Sequence, residues 1–320
     1  MIEQKTFIHN STKKLLFVLL IALLTLPLFQ YFFCVFKEAD LFGVPTATQE
    51  LPKISLQSWL KGNYQFEFEQ AFDKNTGLKK SFIRLQNQLS YTLFNTSQAQ
   101  SVVVGENGFL YGTSYIDGYT GGDFVGREKI SVHVEKMKIV EQALEKKNIK
   151  LLCVFAPGKG SFFPEYIPHH YLTKVNFDST NYSCYAKAFR DEGFLFVDLR
   201  KYCLSIKDTL QNPLFSQVGV HWGDYAAFIA IDIIAKKIEE ITKIKMRKFQ
   251  ISKIEYLDTI SETDRDIENV MNLFSSLPSY KMPHLTINYL GDAPTRKPNV
   301  LVVGDSYYSC LLYTSPSPRD

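Results

Sequence analysis

A three-layer α/β domain around a mostly parallel sheet, carried behind one N-terminal transmembrane helix, is the fold class this sequence predicts. Three observations point to it. An uncharged run of twenty-two residues lies near the start, helical periodicity alternates with short apolar strands through the middle, and a last apolar strand runs into a Gly-Asp-Ser turn.

The uncharged run is Leu15 to Phe36. At ~1.5 Å per residue it reaches about 33 Å, enough to cross a hydrocarbon layer of roughly 30 Å. It exceeds the ~7–15 residues of a cleavable signal's apolar region and lacks a small-x-small cleavage site, ending instead in bulky Tyr31, Phe32, Phe33 and Phe36. Residues 1–36 therefore read as a cytoplasmic stub and signal anchor, although Pro27 and Gln30 interrupt the run. Lys5, Lys13 and Lys14 precede it, while Lys37 is followed by Glu38 and Asp40, so the basic flank stays in the cytoplasm and the body lies outside the inner membrane.

Asp40 to Tyr64, with Pro45 and Pro52, reads as a surface approach, and Phe66 to Phe94 as helical. In Ser101-Val-Val-Val-Gly-Glu-Asn-Gly-Phe-Leu-Tyr111 the Asn107-Gly108 pair can take the positive φ of a tight turn, which predicts a hairpin. Ile130, Val134, Met137, Val140 and Leu144 recur at helical spacing ahead of the apolar run Ile149 to Ala156. A second helix–strand unit follows over Tyr182 to Arg190 and Phe194 to Val197. A third helix places Ala227, Ala230, Ile231, Ile234, Ile238 and Ile241 on one face, and the last strand is Val300 to Val303.

The formal net charge is +3, with Lys and Arg scattered among Asp and Glu, so no basic stripe marks a nucleic-acid partner. The cysteine spacing matches no metal motif, and no cofactor is expected. Cys184 and Cys203 could pair in an oxidising compartment or be buried as small hydrophobes, and both readings stay open.

Ser306 follows the last strand, where α/β folds expose reactive groups and the N–H groups of a turn can hold an oxyanion. It is the candidate nucleophile. His221, in Gly219-Val-His-Trp-Gly-Asp-Tyr225, sits in a Gly-flanked loop just before a helix that Asp224 can cap, a context suited to a general base. Asp264 and Asp266 lie between the two in sequence and are the candidate acids, Asp264 first and Asp266 as the alternative. Lys159, in a strand-end loop without P-loop spacing, and the aromatic Trp222 and Tyr307 are candidates for substrate contact.

The segments VVVGENGFLYG, VFAPGKGSFFPEYIP, GVHWGDYA and VLVVGDSYY occur in that order behind the anchor. Together they resemble the SGNH-hydrolase-like domains of the alginate O-acetyltransferase family, the AlgX/AlgJ type. The resemblance covers roughly Gln57 to Ser309. It implies a periplasmic α/β domain that acetylates exopolysaccharide hydroxyls, with His221 in the base position and Ser306 in the nucleophile position. It also implies a multi-pass membrane acyltransferase as acyl supplier. The family's Asp-x-His-Trp motif departs here, because the position two before the His is Gly219. A backbone carbonyl could orient the imidazole, another acid could fill the space, or the domain could be inactive. Carbohydrate esterase, polysaccharide-binding member and export-complex scaffold are the rival readings.

Cys310 to Asp320, CLLYTSPSPRD, back-translates without mismatch to a transposase adapter used in sequencing libraries. The expectation is therefore an acyltransferase domain over 37–309, incomplete at its C-terminus, with 310–320 as adapter-derived sequence.

Overall fold

The helix α1 spans Ile2–Phe33 with Pro27 inside it. In this computed structural model the described residues are 2–44, 49–173, 175, 179–257, 263–292 and 296–314. Positions 45–48 of the expected linker and 315–320 of the expected adapter tail lie outside them. Thr12–Phe33 is long and apolar enough to cross a membrane. The helix stops three residues short of the end of the uncharged run because Cys34 turns to φ +43° and the Gln30 amide donates to the Phe36 carbonyl at 2.6 Å.

The chain divides into two compact units, one of residues 1–94 with 272–275 and one of 95–271 with 276–320. In the first, α2 (Leu56–Leu60) is closed by a Ser55/Ser58 capping box. Next come α3 (Asn63–Asn75) and α4 (Lys79–Phe94), broken by Thr76 to Leu78, where Leu78 takes φ +66°.

In the second unit β1 (Val102–Val104) and β2 (Leu110–Gly112) form the expected antiparallel hairpin, with Asn107 at φ +53° and Gly108 at φ +78° in its turn. Then follow α5 (Thr113–Thr120) and α6 (Arg127–Glu145), β3 (Cys153–Phe155), and the short α7 (Lys159–Phe162) and α8 (His169–Leu172). Next, α9 (Asn181–Asp191) starts at a Thr180/Ser183 capping box, and β4 (Phe196–Asp198) pairs in parallel with β3. The remaining elements are α10 (Leu199–Ile206), α11 (Asp224–Thr242), β5 (Lys248–Tyr256), α12 (Asp266–Met271), β6 (Pro283–Leu290) and α13 (Ser306–Thr314).

The α/β fold class stands, but the sheets among the described residues are small and mixed. Only β3–β4 is parallel, while β1–β2 and β5–β6 are antiparallel. The antiparallel β5–β6 pair is absent from the sequence reading although Leu285, Ile287 and Tyr289 alternate with polar residues in β6; in β5 a shift in register between Ile251 and Lys253 breaks the alternation begun by Phe249 and Ile251. Val300 to Val303, expected as a strand, has no regular structure, and Leu301 and Val303 are 92% and 95% exposed. An apolar run becomes a strand only where a neighbour takes its backbone hydrogen bonds.

One hydrophobic cluster gathers Phe162, Leu199, Leu214, Phe215, Trp222 and Tyr307 from α7, α10, α13 and the loop before α11. Cys310 and Leu311, set apart in the sequence reading, continue α13 and pack on this cluster. Cys184 and Cys203 are each buried and not joined in a disulfide, so the small-hydrophobe reading fits.

Candidate active site

His221 stands in a loop whose base is closed by a bridge between Phe215 and Trp222 and by the Gly223 N–H donating to Leu214 O at 2.8 Å. Four consecutive carbonyls of the loop, 217 to 220, each have a donor. Gln217 O accepts from the Leu110 N–H of β2 and from Lys159 Nζ, and Gly219 O accepts from the same ammonium at 2.7 Å. Val218 O accepts from the Glu268 N–H, and Val220 O from the Tyr307 hydroxyl at 3.1 Å. With its backbone so occupied, the loop holds His221 in one place.

Asp266 opens α12. Its Oδ1 accepts from the Val220 and Ile267 N–H groups, both at 2.8 Å, which turns Oδ2 onto His221 Nδ1. A carboxylate only accepts, so Nδ1 carries the hydrogen and Nε2 presents a lone pair. That lone pair meets Ser306 Oγ at 2.7 Å. Ser306 is the first residue of α13, where a backbone N–H has no carbonyl within the helix, and the Asp305 carboxylate accepts the next N–H, from Tyr307, at 3.0 Å. The relay is partly exposed, the His221 and Asp266 side chains retaining 21% and 24% of their accessible surface.

Of the two candidate acids, the geometry brings Asp266 to His221, while Asp264 is buried beside Gly223. Position 219 is filled by this same segment: a Cβ on Gly219 would stand 2.6 Å from the Asp264 carbonyl oxygen. The loop thus admits no side chain where the resemblance places an Asp.

The three residues expected at substrate, Lys159, Trp222 and Tyr307, are all buried. Lys159 is wholly enclosed under the Phe109 and Tyr111 rings, and its Nζ donates to the Gln217 and Gly219 carbonyls. Burial pushes its pKa well below the ordinary lysine range, partly offset by the Asp266 charge. Trp222 packs edge-on against Tyr307 and donates Nε1–H to the Tyr307 carbonyl. Tyr307 is buried, its ring 5.1 Å from that of His221. Both aromatic residues tie α13 to the His221 loop. Asp224 does not cap α11: Gly223 holds the N-cap and the Asp224 carboxylate faces the Leu285 N–H and His284. Gln217, unnoticed in the sequence, joins the loop to the hairpin turn through Asn107 O and to Tyr280 N–H. No sequence signal distinguishes it from any exposed amide.

A serine at the head of a helix, a histidine on a wired loop and an aspartate behind it form one hydrogen-bonded chain on an SGNH-like scaffold. The profile described as SGNH hydrolase-like domain, acetyltransferase AlgX, matches residues 102–310, and the chain belongs to that family. Among curated relatives, the probable alginate O-acetylase AlgJ of Pseudomonas aeruginosa is 24% identical over 57% of this chain, and that of Pseudomonas syringae 23% over the same share. The matched region spans 44% of each relative's length. Among solved structures, the O-acetyltransferase domain of Pseudomonas putida AlgJ gives a TM-score of 0.39 at 15% identity, covering 59% of this chain and 66% of that one. Pseudomonas aeruginosa AlgX gives 0.44 at 14% identity, covering 60% and 44%.

Proposed function

We propose that this protein is an O-acetyltransferase that acts on a secreted or cell-surface polysaccharide through an acyl-enzyme on Ser306. The observation that carries the proposal is the continuous relay from Asp266 through His221 to Ser306 Oγ. His221 Nε2 takes the Ser306 proton as Oγ adds to the donor carbonyl, and Asp266 holds the imidazolium that forms. The Ser306 N–H at the start of α13 faces the developing oxyanion. His221 then returns the proton to the leaving group, and a sugar hydroxyl, deprotonated by the same nitrogen, releases the acyl group from Ser306. The single span of α1 anchors the chain in the inner membrane with the site in the periplasm, within reach of a multi-pass membrane acyltransferase that exports acyl groups. Family membership and the names of the AlgJ relatives support this reading.

The test is an assay of the full chain with an aryl acetate donor and polysaccharide fragments. Acetylated oligosaccharide should accumulate faster than free acetate, and Ser306→Ala should abolish both. Full activity in Ser306→Ala ends the mechanism. Acetate release that ignores added oligosaccharide replaces transfer with esterase action.

A further inference from the structure

Helix α4 is built inside out. Phe82, Leu85, Leu89 and Leu93 fall on one face of a 3.6-residue helix, and they are 40%, 44%, 47% and 65% exposed. The inward face is polar instead: Arg84 Nη1 donates to Leu273 O at 2.9 Å, Asn87 Nδ2 to Asn272 O at 3.5 Å, and Ser90 is buried. A helix bathed in water would present the opposite arrangement. The preceding α3 adds aromatic surface, with Tyr64, Phe68 and Phe72 stacked in a row at centroid spacings of 5.8 and 6.0 Å.

The start of α4 is fixed against the membrane helix. A Cβ on Gly77 would lie 2.5 Å from Pro27 O and 2.7 Å from Tyr31 N, so the α3–α4 connection rests directly on the last turns of α1. After Phe33 the chain folds over the helix end, and Glu38 accepts from the Leu78 and Ser81 N–H groups, both at 2.8 Å. The connection therefore meets α1 at the end of its apolar span. The α4 sequence contains no acidic residue, so the helix itself sets no negative charge against a surface of anionic headgroups.

We infer that α4 lies in the outer interface of the bilayer, its Phe82–Leu93 stripe among the upper acyl chains, so that the first unit is seated on lipid as well as tethered to it. The inference rests on the reading of α1 as a membrane span. Lipid is preferred to a protein occupant because the stripe begins where the span ends.

The test uses the full chain in vesicles of phosphatidylethanolamine and phosphatidylglycerol carrying bromines near the top of the acyl chains. Leu89→Trp and Leu93→Trp, both at exposed positions, report depth, and Glu135→Trp, exposed on α6, is the control. Relative to wild type with its Trp59 and Trp222, the added emission at 89 and 93 should be lost to bromine while that at 135 is retained. If the chain floats with the vesicles and resists alkaline extraction but neither added tryptophan is quenched, the stripe is covered by protein and the inference is overturned while the span survives. If the chain does not float, the span reading fails and this inference falls with it.

Discussion

The carboxylate that meets His221 comes from a segment whose backbone fills the space beside Gly219. Asp266→Asn should lower kcat for aryl acetate by about 10⁴ through loss of the oriented tautomer. Adding Gly219→Asp should not rescue it and should lower stability by about 1–3 kcal/mol, since the new Cβ presses on the Asp264 carbonyl. Rates and thermal melts of the single and double variants check this. Lys159 gives a second residue-scale prediction. Its folded pKa is depressed by burial, so the associated stability is full above the ordinary lysine pKa of about 10.4 and is lost as pH falls toward the folded value. Wild type should therefore lose melting temperature as pH falls below about 10, relative to Lys159→Met. The variant itself should be less stable by about 1–3 kcal/mol, with the Gly219 carbonyl deprived of its donor and Gln217 O left with the Leu110 N–H alone. Ser306 and His221 were legible because each sits in a short turn with its own punctuation. The acid was not singled out, because a carboxylate supplied 45 residues downstream leaves no spacing to read.

Among the elements, the hairpin and the helices α6, α9 and α11 could be read because glycine turns, capping residues and apolar stripes declare them locally. The same local logic misread Val300 to Val303, which lacks a paired strand among the described residues, and passed over β5–β6, where a shift in register at Ile251/Lys253 interrupts the alternation. Two glycines separate strain from steric exclusion. Gly108 has positive φ and open space around it, so Gly108→Ala should cost about 1 kcal/mol. Gly160, in α7, lies against the Tyr115 carbonyl, and Gly160→Ala should cost about 1–3 kcal/mol as α5 and α7 are forced apart. Chemical denaturation of both variants distinguishes them, and equal losses would contradict the close approach of α5 and α7.

For the whole molecule, the proposed tether and the proposed relay should be separable. Removing residues 1–36 should leave aryl acetate hydrolysis by Ser306 largely intact while acetylation of polysaccharide in cells collapses, because the anchored chain works at a local concentration that a freely diffusing one does not share. Hydrolysis by the purified truncated chain and acetyl content of the exported polymer check the two halves. Loss of hydrolysis as well would show that the two functions are not separable.

The contact between Gly219 and Asp264 also bears on descent. In this backbone the two possible sources of the acid exclude one another: a chain with aspartate at both 219 and 266 must displace the Asp264 segment, and a chain with neither leaves the imidazole without a partner. Exchange between the two arrangements therefore passes through an intermediate that is either unstable or slow. The order of the two mutations is constrained, and a search keyed to Asp-x-His would discard as inactive a chain whose carboxylate enters from elsewhere.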